Sequence, residues 1–261
     1  MAIITLTTDL GIRDSYLASV KGSIHSQLEM AKIIDITNEI APFNIQQAAY
    51  VLSNCFKDFP LGTIHIISVD DELSTKNEHL AVKAVGHYFI GADNGLFSLL
   101  LNEMKPEKIV RLNLSQNTNC MTFAAKNIFV PAACHLARGG TMEIIGTEVS
   151  KFEVNKSNLK AVITKDMIRG SVIYVDVYGN AITNISKKVF KDVQKARNIS
   201  ILFGREDEEI LSISVKYKDV PPSEKLAIFG EDGLLQIAIN QGQANKLLGL
   251  KLHEIIRVEF K

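Results

Sequence analysis

Residues 2–22 read AIITLTTDLGIRDSYLASVKG. Ile3, Ile4 and Leu6 form a short β-branched apolar run of the kind found in buried strands. Thr7-Thr8-Asp9 ends the run, and Leu10-Gly11 turns the chain. From Ser15 the spacing becomes helical, with Leu17, Val20, Ile24 and Leu28 near one stripe. Strand, polar turn and helix place Asp9 and Asp14 at the carboxyl end of a strand, where open α/β sheets bind ligands. Two carboxylates there suit the neighbouring hydroxyls of a ribose, because an ionised carboxylate only accepts hydrogen bonds. Spacing alone favours a simpler account, in which Asp14 or Ser15 caps the helix and Asp9 holds the turn.

The pattern repeats outward from this unit. Strands are expected at 32–36, 63–69, 79–85, 88–92 and 108–112, with helices at 45–56, 96–102 and 129–138. Alternating strands and helices predict an α/β N-terminal domain over 1–150, a mainly parallel sheet with helices on both faces. Residues 151–167 are polar and weakly periodic at first, as a linker would be. Beyond them the runs are short and strand-like (170–177, 182–185, 200–203, 210–215, 226–229, 234–239 and 255–260), and a brief helix fits 243–248. Turn signals such as Tyr178-Gly179-Asn180 and Pro221-Pro222 separate the strands. This spacing predicts a small C-terminal antiparallel barrel or sandwich over 168–261.

The chain has 261 residues, enough for one large or two smaller cores, and its 29 basic residues balance its 29 acidic ones. That balance argues against a nucleic-acid partner, which calls for a basic excess. Cys55, Cys120 and Cys134 are widely spaced and read as reduced thiols, not a disulfide or zinc framework. No leader-like or membrane-spanning apolar run is present, so a cytoplasmic protein with no membrane association and no metal is expected.

No Walker loop, GxGxxG, HExxH or GxSxG motif occurs. Arg205 to Glu209 reads as a solvated hairpin tip, and His25, His65, His87, His135 and His253 show no ligand spacing. Three clusters remain. Asp70-Asp71-Glu72 ends a strand, with Asn77 and His79 downstream and able to share a face. Thr122 to Asn127 leads into the Pro131 helix. Asp176 to Asn184 is a polar turn that serves equally well as an ordinary hairpin.

In order and spacing, Thr8-Asp9-Leu10-Gly11 with Asp14, Ala92 to Gly95, Phe129 to Pro131 with His135-Leu136, and Asp176 to Asn184 resemble the S-adenosylmethionine (SAM) hydroxide adenosyltransferases, relatives of the fluorinase and chlorinase enzymes. The resemblance covers nearly the whole chain. It implies an N-terminal α/β domain, a C-terminal β-barrel and a homotrimer with a small-molecule nucleoside substrate bound at subunit interfaces. It also implies no cofactor, SAM itself being the substrate. Asp9 and Asp14 then hold the ribose, and Phe43 lines the nucleoside pocket. Asp176, Tyr178 and Asn180 contact the methionine amine and the adenine.

The family reaction is displacement at the ribose C5′, with methionine leaving as a neutral thioether. Its hydrolytic members use an Asp in V-D-P-G-V-G, an Arg seven residues on, and a His in T-F-H-G-R-D. Here the Asp is Asp70, but Asn77 stands at the Arg position and Ala124 at the His position. Loss of one preorganised electrostatic group costs about 10²–10³ in rate. His79 and Lys126, each two residues from a replaced position, are the candidates for compensation. Where relatives grip the methionine carboxylate, Gly230-Glu231-Asp232-Gly233 is acidic and would repel it. The resemblance implies SAM hydrolysis to adenosine and L-methionine, weak or with an altered substrate. A catalytically silent nucleoside-binding homologue is the alternative.

Overall fold

A computed structural model describes residues 2–75, 77–102, 104–114, 122–155, 160–204 and 208–261. Cys120, the 205–207 part of the expected hairpin tip and 156–159 of the expected linker lie outside these. The chain divides into two compact units, Met1–Lys156 and Ser157–Lys261.

The first unit runs β1 (Ile3–Thr8), α1 (Ser15–Gln27), β2 (Lys32–Thr37), α2 (Ile45–Ser53), β3 (Ile64–Ser68), β4 (His79–Ala84), β5 (His87–Ala92), α3 (Leu96–Leu101) and β6 (Lys108–Leu112). A single π turn over Ala125–Phe129 then leads into α4 (Val130–Ala137), α5 (Met142–Ile145) and β7 (Gly146–Glu148). The seven strands lie in the order β2-β1-β3-β5-β4-β6-β7. Strand alternation sends side chains to two separate cores. Ile4, Leu6, Ile64, Ile66 and Ala81 pack with α1 and α4. Val69, Leu80, Val82 and Phe89 pack with α2 and α3. Helices therefore cover both faces, as alternation predicted.

The sheet is mixed, where a mainly parallel one was expected. β2, β1, β3 and β5 are parallel, whereas β5-β4, β4-β6 and β6-β7 pair antiparallel. The reason is the Val85-Gly86 link, with φ of 52° and 75°. Two residues in the left-handed region close a hairpin, and a parallel crossover needs a dozen or more.

Gly146 is demanded by packing. A Cβ there would sit 2.0 Å from the Arg111 carbonyl oxygen, on the strand that pairs with β7. Gly146→Ala should therefore push β7 off β6 and cost about 1–3 kcal/mol. A urea midpoint equal to that of the wild type would refute this.

The first unit extends past the expected boundary at 150. Glu153 N–H donates to Asp93 Oδ1 at 2.8 Å, and Asn155 N–H to Ser98 Oγ at 2.9 Å.

The second unit comprises β8 (Val162–Ile163), β9 (Met167–Val175), β10 (Ala181–Ser186), α6 (Lys187–Gln194), β11 (Ile199–Phe203), β12 (Glu208–Ile210), β13 (Ile213–Ser214), β14 (Lys225–Phe229), β15 (Leu234–Ile239), α7 (Ala244–Leu247) and β16 (Ile255–Phe260). Its sheet runs β12-β11-β16-β9-β10-β15-β14-β13, with β8 on β9. All pairs are antiparallel except β13-β14. Among the described residues the hydrogen-bonded ladder is open, so the small barrel expected is not confirmed. The sheet nevertheless curls, for Glu208 on β12 forms an ion pair with Lys225 on β14, six positions along the strand order. Helix α6 was not anticipated. Ser186 caps it by accepting the Val189 N–H, and Phe190 anchors it in the core.

Candidate functional site

Three loops converge at the carboxyl ends of β1, β2 and β3. Thr8 Oγ1 donates to Asn38 Oδ1 at 2.9 Å, and Gly11 N–H to the Asn38 carbonyl at 2.7 Å, tying the first loop to the second. Asp9 extends the sheet by donating its N–H to the Ser68 carbonyl at 3.2 Å. Its carboxylate Oδ2 accepts the Phe43 N–H at 2.9 Å. Phe43 sits at φ 65° with its ring exposed. Asp14 occupies the N-cap position of α1, but its side chain makes no capping bond. The simpler account given above therefore fails for Asp14, whose exposed carboxylate stays open to a ligand.

The acidic turn after β3 is built more tightly than its sequence suggests. Asp70 adopts φ 49°, an unfavourable region for a non-glycine residue. Asn94 Nδ2 donates to the carbonyls of Val69 and Asp70 at 3.1 and 2.9 Å. Asn77 Nδ2 donates to those of Asp70 and Glu72, both at 3.0 Å. Asn77 and His79 do reach the same way, since His79 Nε2 donates to the Asp71 carbonyl at 2.8 Å. The His79 ring is 2% exposed and edge-on to Phe129, and burial holds its pKa below the usual value. Ala124 is buried at the start of the π turn, and Lys126 is half-buried within it. Unlike these, the Asp70 side chain is exposed.

Asp71, in the cluster but not singled out from sequence, is the distinctive acid. Ser68 Oγ donates to its Oδ2 at 2.6 Å. Burial pushes its carboxyl up, opposed by the Ser68 hydrogen bond and aided by the charges of Asp9 and Asp70. Asp9, Asp70 and Asp71 thus form one electrostatic group. The signal was a serine three residues before an aspartate, and such a pair is common on any surface turn.

The polar turn of the second unit lines a cleft of about 600 Å³, which holds Asp176, Tyr178 and Asn180. Asp176 Oδ1 accepts the N–H groups of Tyr178 and Asn180 at 3.0 and 2.8 Å, and Oδ2 accepts Asn180 Nδ2 at 2.8 Å. The carboxylate thereby fixes the turn while its charge stays in the cleft. Val177 and Tyr178 project outward, 85% and 73% exposed. No group of side chains suited to hold a metal ion occurs among the described residues, and no described helix is long and apolar enough to cross a membrane.

Several known proteins resemble this chain. A protein of Methanocaldococcus jannaschii named (R)-S-adenosyl-L-methionine hydrolase is 28% identical, over 99% of this chain and 96% of its own. One of the same name from Thermus thermophilus is 29% identical, over 94% of each. A fluorinase of Nocardia brasiliensis is 22% identical over 71% of each chain. Among solved structures, an uncharacterized conserved protein of Thermotoga maritima superposes with a TM-score of 0.88 at 30% identity. That match covers 98% of this chain and 99% of the other. Family models for the N-terminal and C-terminal domains of the SAM hydroxide adenosyltransferases match residues 4–146 and 170–257, and the chain belongs to that family.

Proposed function

We propose that the protein hydrolyses SAM to adenosine and L-methionine. Water or hydroxide oxygen bonds to the ribose C5′ as the C5′–S bond breaks. The electron pair goes to sulfur, which leaves as the neutral thioether of methionine, and the proton of an attacking water passes to solvent or a carboxylate. The observation that carries this reading is the Asp9 carboxylate, presented at the carboxyl end of β1 and aimed by the Phe43 N–H. Asp9 and Asp14 receive the ribose hydroxyls as acceptors, and Phe43 offers its ring to the base. Asp70 aligns the attacking water, and Asp176, Tyr178 and Asn180 receive the amine and adenine. We further propose a homotrimeric cytoplasmic assembly with sites at subunit interfaces and no cofactor.

A second reading, nucleoside binding without turnover, draws on Asn77 and Ala124. Asn77 spends its amide hydrogens on the Asp70 turn, and Ala124 carries no polar group. His79 is shut from solvent, with Nε2 bonded to the Asp71 carbonyl and Nδ1 buried without a hydrogen-bond partner among the described residues. Incubating the purified protein with SAM and separating the products by chromatography decides between the two. Adenosine and methionine in equal amounts, at a rate about 10²-fold or more below that of a member with both groups intact, support turnover. No adenosine above background, with calorimetric adenosine binding intact, overturns it in favour of the silent reading.

A further inference from the structure

The turn that presents Asp70 holds a demanding shape without help from its own sequence. Val69-Asp70-Asp71-Glu72-Leu73-Ser74 contains neither glycine nor proline, yet Asp70 stands at φ 49° with its side chain exposed. A non-glycine residue keeps that conformation only where its surroundings over-determine it. Here the surroundings grip the carbonyls. Those of Val69, Asp70, Asp71 and Glu72 each accept a side-chain N–H. Asn94 serves the first two, Asn77 the second and fourth, and His79 the third. The Ser68 carbonyl just before them takes the Asp9 N–H, which ties the turn to the loop of Asp9.

Two of the three side chains are oriented for this grip at the expense of their other polar atom. A carbonyl only accepts, so His79 carries its proton on Nε2. Its Nδ1 is then a bare acceptor, buried with no partner among the described residues. The ring is 2% exposed and edge-on to Phe129, and burial keeps it neutral. Asn77 gives its amide N–H groups to the turn, while its Oδ1 is likewise buried and unpartnered. Turning that amide over would set Oδ1 against two carbonyl oxygens. Packing alone would be served as well by an apolar side chain at position 79, which leaves no orphaned acceptor.

We propose that Asn77, His79 and Asn94 are positioning residues: their N–H groups lock the four carbonyls and so fix the direction in which the Asp70 carboxylate meets the attacking water. The inference rests on the hydrolase reading above and names what makes its acid effective. The effect reaches the reaction through the backbone of the turn, so it falls on turnover and not on nucleoside binding.

The test is steady-state SAM hydrolysis by the full-length protein, with calorimetric adenosine titration and urea unfolding alongside. His79→Leu keeps an apolar body against Phe129 and removes the N–H. Asn77→Asp keeps the shape and turns the donors into acceptors facing carbonyls. Each should lower kcat about tenfold or more, because a small misplacement of a reacting group is amplified at the transition state. KM and adenosine affinity should stay within about twofold, as for an interaction felt only in the transition state. His79→Gln, whose amide N–H can reach the same carbonyl, should recover most of the lost kcat. Should the leucine variant not fold, the aspartate variant decides alone, its site being only half-buried. An unchanged kcat in either folded variant, or a glutamine variant as slow as the leucine one, overturns the positioning role while the hydrolase reading stands. Wild-type protein that makes no adenosine sinks both.

Discussion

Replacing Asp9 with alanine should lower adenosine affinity roughly 100-fold or more. The carboxylate is proposed to accept the ribose hydroxyls, and hydrogen bonds to a charged group are worth about 1.5–3 kcal/mol each. It also accepts the Phe43 N–H, so alanine frees the loop that presents the aromatic ring. Asp9→Asn separates the two roles. Its amide oxygen still accepts from Phe43, so the loop stays in place, but the negative charge is gone. Affinity of the asparagine variant should fall between wild type and alanine. Unchanged affinity in Asp9→Ala removes the ribose assignment, and full recovery in Asp9→Asn reduces Asp9 to a latch for the loop. The first unit should remain folded throughout, because Asp9 is only half-buried and the strand before it is held by its apolar residues.

The second large effect is on stability in acid. His65 is fully buried, with Nδ1 2.7 Å from Thr5 Oγ1 and Nε2 3.2 Å from His87 Nδ1. Its ring stacks on Phe89, with Phe56 edge-on. Burial, and secondarily the neighbouring His87, push its pKa down to about 3. The unfolded chain takes up this proton near pH 6.5, so unfolding binds a proton throughout the interval between the two values. The contribution is fully present above pH 6.5 and is lost as pH falls toward 3. From pH 7.5 to 4.5 it amounts to about 3 kcal/mol from this one ring. His87 and His79 are lowered in the same direction and add to the slope. Urea unfolding across that range should show stability falling steeply in the wild type. His65→Leu should be less stable at neutral pH but shallower by close to one proton. Equal slopes would show that the His65 proton is not coupled to folding.

The histidine pair also marks what one-dimensional reading lacks. His65 and His87 are 22 residues apart and have no ligand spacing, yet parallel pairing of β3 with β5 brings the rings together. By contrast, the opening strand, turn and helix were legible because Ile4 and Leu6 alternate and Leu17, Val20 and Ile24 follow a helical stripe, each pattern matching its buried face. The Val85-Gly86 hairpin escaped because valine is a poor signal for a left-handed turn. Helix α6 escaped because strand-like runs flank it on both sides, although Ser186, Val189, Phe190 and Val193 carry a cap and an apolar spacing. The single run 210–215 is two strands, β12 and β13, that lie at opposite ends of the sheet order.

The site divides in the same way. Asp9, Asp70 and Phe43 do lie on converging loops, and Asp176, Tyr178 and Asn180 do line one cleft. Residue types alone did not tell that Asn77 would brace a turn, or that Asp71 and not Asp70 would be the shielded carboxyl. Those facts depend on where two asparagine amides and a serine hydroxyl find acceptors in space.

Phe43 and Asp70 both hold left-handed backbone, a conformation that a residue without a side chain adopts with less strain by about 1 kcal/mol. The two loops are therefore places where endurance and chemistry oppose each other. Glycine would relax the chain at either position and at the same stroke delete the aromatic ring or the acid. A search for heat-resistant variants that scored survival alone would drift toward those exchanges, and would return a sturdier protein with its proposed pocket dismantled.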